Sequence, residues 1–163
     1  EVGKSIRQLE LFGLQGIKNL NQYYKEKDIK KFEGLNLISE KNEPTLEAFC
    51  PIVLGVSFLD QIKSLENFKI IQFKNVAYPI IFLSFLSRAS EICGKKIHAK
   101  FDNQEILLNL NVNICLNFFN KKFSNFEKDV KIILLNNKVN FIDPDWISLF
   151  NLEENTFEEE SDG

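Results

Sequence analysis

The sequence predicts an α+β fold. An N-terminal helical hairpin and a buried central helix pack on an antiparallel sheet built mostly from the C-terminal half. Three observations carry this expectation. The stretch from Asn75 to Cys93 is the longest apolar segment, and its apolar residues go almost all round at helical period. Alternating apolar and polar residues follow it, over Lys96–Phe101 and Glu105–Asn113, as in a half-buried β-hairpin. Residues 1–27 read as two helices separated by Gly13 and Gly16.

The first helix spans Glu1–Phe12. Val2, Ile6, Leu9 and Phe12 share one face, with Lys4, Gln8 and Glu10 away from it. Gly13 is placed for a left-handed cap, with Leu14 folding back on the last turn. The second helix runs from about Ile17 to Lys27, with Ile17, Leu20 and Tyr24 facing inward. Asp28–Glu43 is charged and irregular, and Leu35, Leu37 and Ile38 are its contact with the core. Pro44 is expected to start a short helical turn through Phe49.

Cys50–Asp60 fits two periods. Ile52, Leu54, Val56 and Phe58 alternate like a strand, whereas Ile52, Val56, Leu59 and Ile62 recur like a helix. The branched residues and Gly55 favour a strand. Phe68–Phe73 is a further strand, with Phe68 and Ile70 on one side. In the central helix Pro79 belongs to the first turn, where its missing N–H costs nothing, and Gly94 closes the last.

In the hairpin, Ile97, Ala99 and Phe101 oppose Ile106, Leu108, Leu110 and Val112 across a turn at Asp102-Asn103-Gln104. Cys115–Phe119 is apolar and leads into a polar loop. Val130–Leu135 and Lys138–Ile142 form a second hairpin about Asn136-Asn137. Asp143-Pro144-Asp145 starts a last amphipathic helix carrying Trp146, Leu149, Phe150 and Leu152. Residues 1–152 are expected to form a single α+β domain, and residues 153–163 a frayed acidic tail.

Composition narrows the function classes. At 163 residues, 44% apolar and 26% charged, the chain is of ordinary globular type. A net charge of −3, with lysines scattered among acids, argues against a nucleic-acid partner. No run reaches the roughly 18 apolar residues of a membrane span, and no signal peptide is visible, so a cytoplasmic location and no membrane partner are expected. Oligomeric state is not legible. Cys50, Cys93 and Cys115 are odd in number, widely spaced and set in apolar surroundings, as for reduced structural thiols. His98 follows Cys93 closely, but no Cys-x-x-Cys pair accompanies it, so neither a metal nor another cofactor is expected. Arg7 and Arg88 stand against eighteen lysines. Where lysine is the default cation, an arginine points to a need for its flat fork of donors, set against the plainer reading of a salt bridge.

Three stretches carry a resemblance. They are Glu1-Val-Gly-Lys-Ser-Ile-Arg-Gln-Leu-Glu-Leu-Phe-Gly-Leu-Gln-Gly16, Cys50-Pro-Ile-Val-Leu-Gly-Val-Ser-Phe-Leu-Asp60, and Val76-Ala-Tyr-Pro-Ile-Ile-Phe-Leu-Ser-Phe-Leu-Ser-Arg-Ala89. Together they resemble an uncharacterised bacterial family catalogued as a domain of unknown function, family 3726 in that series. The likeness covers most of the chain in order and rests mainly on glycine, proline and apolar residues. It implies a chain trimmed at both ends. Members continue the first helix N-terminally and run past a Thr-aromatic pair like Thr156-Phe157 into a Gly/Ala-rich tail, whereas the residues after Phe157 here are acidic. The resemblance implies no activity, substrate or catalytic residue.

Candidate chemistry is sparse. Cys50 before Pro51, with His98 as base, is a conceivable thiol nucleophile, but no motif orients the pair and a buried structural cysteine is the better reading. Arg88 on an apolar helix, with Asp60 at the end of an apolar run, suggests a buried ion pair or an arginine holding an anionic ligand. Asn109, Asn111 and Asn113 line one strand face, for a polar ligand, a partner sheet or plain solvent. Phosphate loops, serine-nucleophile elbows and zinc-protease motifs are absent. The expectation is a non-catalytic binding or accessory module for a small anionic ligand or a partner protein, with Arg88 and Asp60 as ligand-binding residues. The alternative is a small-molecule enzyme with scattered acid and base residues such as Asp60 and Arg88.

Overall fold

A computed structural model describes residues 2–101, 104–108 and 128–135, and the backbone of residues 114–116. Helix α1 spans Val2–Leu11 and buries Ile6 and Leu9, with Val2 and Phe12 partly covered. It ends as its glycine demands. Gly13 takes φ 71°, its N–H donates to Glu10 O at 3.0 Å, and Leu14 N–H donates to Leu9 O at 2.9 Å. This is the paired closure of a Schellman motif, with the buried Leu14 as its apolar contact.

Helix α2 spans Gly16–Glu26 and turns a different face inward from the one its large residues suggest. Ile17 and Tyr24 are exposed, while Gly16, Asn19 and Tyr23 are buried. The cause is the close crossing with α1: a Cβ on Gly16 would lie 2.8 Å from Leu9 Cβ. The glycine therefore sits at the contact, and the residues three and seven positions on follow it inside.

Between α2 and the next helix lie three two-residue strands: β1 (Phe32–Glu33), β2 (Lys41–Asn42) and β3 (Ala48–Phe49). Ile38 is buried and Leu35 partly so, whereas Leu37 is exposed. The helical turn expected from Pro44 does not form. Glu33 accepts hydrogen bonds from both the N–H and the hydroxyl of Thr45, and Ala48–Phe49 pairs in parallel with β1.

Cys50–Asp60 is not a strand. It is the first part of helix α3, Pro51–Leu65. Leu54, Phe58, Ile62 and Leu65 recur at helical spacing and are at most 2% exposed, which leaves Val53 and Val56 outside. Gly55 marks a close helix crossing rather than a strand irregularity, since a Cβ there would fall 2.3 Å from Phe85 Cγ.

Strand β4 is Ile71–Val76. Its inward residues are Ile71, Phe73 and Val76, opposite in phase to the expected Phe68 and Ile70. A bulge between Phe73 and Val76 shifts the register. Asn75 takes φ 47° there, and its N–H donates to Asp129 Oδ1 at 3.1 Å. The extra residue returns Val76 to the core side.

Helix α4, Pro79–Cys93, is the buried centre. Phe82, Leu83, Phe85 and Leu86 are at most 1% exposed. Pro79 opens it after Tyr78, which takes φ 44°. Tyr78 is held there by its carbonyl, which accepts Ile81 N–H at 2.9 Å, by its hydroxyl bond to Glu26, and by edge contacts with Tyr23 and Phe32. Gly94 closes the helix at φ 67°.

The hairpin forms as its alternation predicts: β5 (Lys96–Phe101) pairs antiparallel with β6 (Gln104–Leu108). β7 (Ile114–Leu116) adds to β6, and β8 (Lys128–Leu135) lies between β4 and β5, antiparallel to both. Among the described residues the sheet order is β1-β3-β4-β8-β5-β6-β7, with β2 beside β4 on the same edge as β3. The fold is α+β. The antiparallel part comes from the second half of the chain, and the short strands of the first half join β4 in parallel. Helices α3 and α4 pack side by side, α4 covers β5 and β6, and α1 and α2 pack on α4. Phe58, Phe73 and Phe82 lock α3, β4 and α4 together edge-to-face, with ring centroids 5.6–6.4 Å apart. The partner strand at Lys138–Ile142, the Asn109, Asn111 and Asn113 face, the final helix and the tail lie outside the described residues. No helix among the described residues is long and apolar enough to cross a membrane.

Candidate functional site

The site is built from two helical stripes. On α1, Lys4, Arg7, Gln8 and Leu11 recur at three- and four-residue spacing on the side away from Ile6 and Leu9. On α4, Ser84, Arg88 and Glu91 form a matching stripe. Between them lies a cleft of about 390 Å³, within the roughly 300–1,000 Å³ of small-molecule sites. Small residues on α4 let the helices approach. Ser87 is fully buried, and its Oγ accepts a 2.8 Å hydrogen bond from Gln8 Nε2. Ser84 is also buried and turns its hydroxyl back to Ile81 O at 2.7 Å, which leaves it as floor rather than nucleophile.

Arg88 stands where the buried helix meets solvent. Its side chain is 42% exposed, and Nη1 lies 4.0 Å from Glu91 Oε2, one turn further along the helix. At that distance and exposure the pair is a weak one, and the guanidinium lines the cleft. Arg7 reaches the same cleft from α1, so both arginines of the chain line it, with Lys4 as a third cation and Glu91 as the one carboxylate among the described lining residues. Leu11 is 77% exposed and forms an apolar lip.

The other expected ligand residue sits elsewhere. Asp60 is exposed on α3 and does not line this cleft. Nothing in the sequence marks Lys4 as a ligand residue, whereas the bias toward lysine marks both arginines equally. What the sequence lacks is the packing of α1 on α4, which alone brings Arg7 to Arg88.

The thiols have other surroundings. Cys50 is buried, and its Sγ lies 3.0 Å from the Tyr23 hydroxyl. His98 lies on β5, separated from β3 by β4 and β8, with Nε2 3.6 Å from Glu105 Oε2. The structure thus does not bring Cys50 and His98 together. Burial pushes the Tyr23 phenol well above its ordinary value, helped by its bond to Cys50. Burial also raises the Cys93 thiol, with Glu66 adding to the shift. Among the described residues no three His, Cys, Asp or Glu side chains converge as metal ligands.

These elements define an α+β chain with a cationic cleft between its first helix and its buried central helix. Residues 1–55 match the model of a family described as Protein of unknown function (DUF3726). The matched part holds Lys4, Arg7 and Gln8 but not Arg88. No protein of curated function and no solved structure matches the chain.

Proposed function

We propose that this chain is a non-catalytic binding module whose ligand is a small organic anion seated between α1 and α4. One observation carries the reading: the only two arginines of the sequence, eighty-one positions apart, line one cleft. Two planar guanidinium groups from different helices suit a ligand with two oxyanion groups, because each can bind one bidentately. The lining supports binding over chemistry. Among the described lining residues there is no histidine or cysteine, Ser84 is engaged with its own helix, and Glu91 faces Arg88.

The test is calorimetric titration of the full chain with a panel of dicarboxylates and phosphate esters. Arg88→Lys keeps the charge and loses the fork, and should weaken binding by about 1–3 kcal/mol, the range of a charge-assisted hydrogen bond. Arg7→Gln should weaken it comparably, and Asp60→Asn should leave it unchanged. Equal affinities for the native chain and an Arg7→Gln/Arg88→Lys double variant would remove the reading.

A further inference from the structure

The sheet has a second face, turned away from the helices, and it carries an unusual row. The register places Gln72, Lys131, Lys100 and Glu105 side by side across β4, β8, β5 and β6. Lys131 and Lys100 are therefore direct cross-strand neighbours. Such neighbours have Cβ atoms about 4.5–5.5 Å apart, and like charges there are destabilising. Lys74 joins them at the bulge. Together with Gln72 and Asp129 these lysines line a cleft of about 320 Å³.

The described acids nearby each have a partner of their own. Asp129 accepts the Asn75 N–H. Glu105 is shared between Lys100 at 3.7 Å and His98 at 3.6 Å. Glu43 pairs with Lys74 at 3.5 Å, out on the rim. Lys131, on the central strand and half-buried, makes no ion pair among the described residues. A strand flanked on both sides cannot swing away to separate the charges. An anion between Lys100 and Lys131 would convert their repulsion into two attractions.

We propose that this face holds a second anion site, distinct from the arginine cleft, for a phosphate-bearing small molecule. The reasoning is chemical. Ammonium groups act as point charges without the planar fork, and several converging from different strands suit a compact, multiply charged phosphate group more than a single flat carboxylate. The Gln72 amide supplies a neutral donor at the end of the row. The site sits on the rigid middle of the sheet, so it is preorganised by the strand ladder.

The experiment uses the full chain and pyrophosphate as probe, followed by calorimetry and thermal unfolding at low and at physiological ionic strength. Pyrophosphate should bind, raise the unfolding temperature, and do so less as salt rises. Measured in the Arg7→Gln/Arg88→Lys background, which removes the arginine cleft, Lys131→Gln and Lys100→Gln should each weaken it about ten-fold or more, while Asp60→Asn leaves it unchanged. Without ligand, Lys131→Gln should not lower the unfolding temperature, because it removes a like-charge neighbour. Three results would each overturn the proposal: no pyrophosphate binding in the Arg7→Gln/Arg88→Lys background, unchanged affinity when Lys100→Gln/Lys131→Gln is added to that background, or a ligand-free Lys131→Gln chain that melts lower. Sedimentation with vesicles bearing phosphomonoester headgroups distinguishes the source. Vesicle binding that Lys131→Gln abolishes assigns the phosphate to a lipid, and pyrophosphate binding without it assigns a soluble molecule.

Discussion

Gly55→Ala sets two effects of opposite sign against each other. In a helix interior alanine is favoured over glycine by about 0.8–1.0 kcal/mol, and Gly55 lies in the middle of α3. Against this, the new Cβ would stand 2.3 Å from Phe85 Cγ, 2.4 Å from Cδ2 and 2.9 Å from Cβ. Ordinary carbon contacts are about 3.5–4.0 Å, so the helices or the ring must separate by more than about 1 Å. The atoms struck are the root of the ring, not a free end, and Phe85 is 1% exposed with no room to retreat. Overpacking of this kind costs about 1–3 kcal/mol and occasionally more, and this overlap belongs at the upper end. The net expectation is a loss of about 2 kcal/mol after the helix gain. For a chain of this size that is a fall of about 4–8 °C in unfolding temperature. Denaturant melts of the native chain, Gly55→Ala, Phe85→Leu and the double variant measure it, with the slope checked for constancy. In the Phe85→Leu background the alanine should cost at least about 1 kcal/mol less, a coupling typical of residues in contact. A stabilising Gly55→Ala, or the same cost in both backgrounds, would refute the close crossing of α3 and α4.

Two further outcomes follow from the buried polar groups. Tyr23→Phe should cost about 0.5–1.5 kcal/mol at neutral pH through loss of its bond to Cys50, and it should also change the alkaline limb of the stability profile. The Tyr23 phenol is raised in the folded state, so below its unfolded value of about 10 both states are protonated and its ionisation has no effect. As pH rises above about 10 the unfolded state releases the proton first and stability falls; the Tyr23→Phe chain should lose less over that interval, and parallel profiles would refute the buried phenol. Cys50, 5% exposed, and Cys93, raised by burial, should both react slowly with a neutral thiol reagent at neutral pH when followed residue by residue by mass spectrometry. Fast modification of Cys50 would reopen its reading as a nucleophile.

Much of the local structure is written in the sequence. Gly13 before Leu14 specifies the end of α1, Pro79 and Gly94 bound α4, and the alternation of Ile97, Ala99 and Phe101 sets the buried face of β5, because each depends on a few adjacent residues and on backbone sterics. The composition also marks Arg7 and Arg88 as unusual. The remaining features are matters of contact and depend on how the elements pack. Gly55 and Gly16 look like breaks in a pattern, yet each is where two helices cross too closely for a side chain, and that decides both the helical state of Pro51–Leu65 and the inward face of α2. The phase of β4 depends on a bulge fixed by Asp129, a residue on another strand. Arg7 comes to Arg88, and Lys100 to Lys131, only through the packing of α1 on α4 and the placing of β8 between β4 and β5. Periodicity records which residues avoid water. It does not record which surface covers them, because apolar burial is non-directional and many partners satisfy it equally.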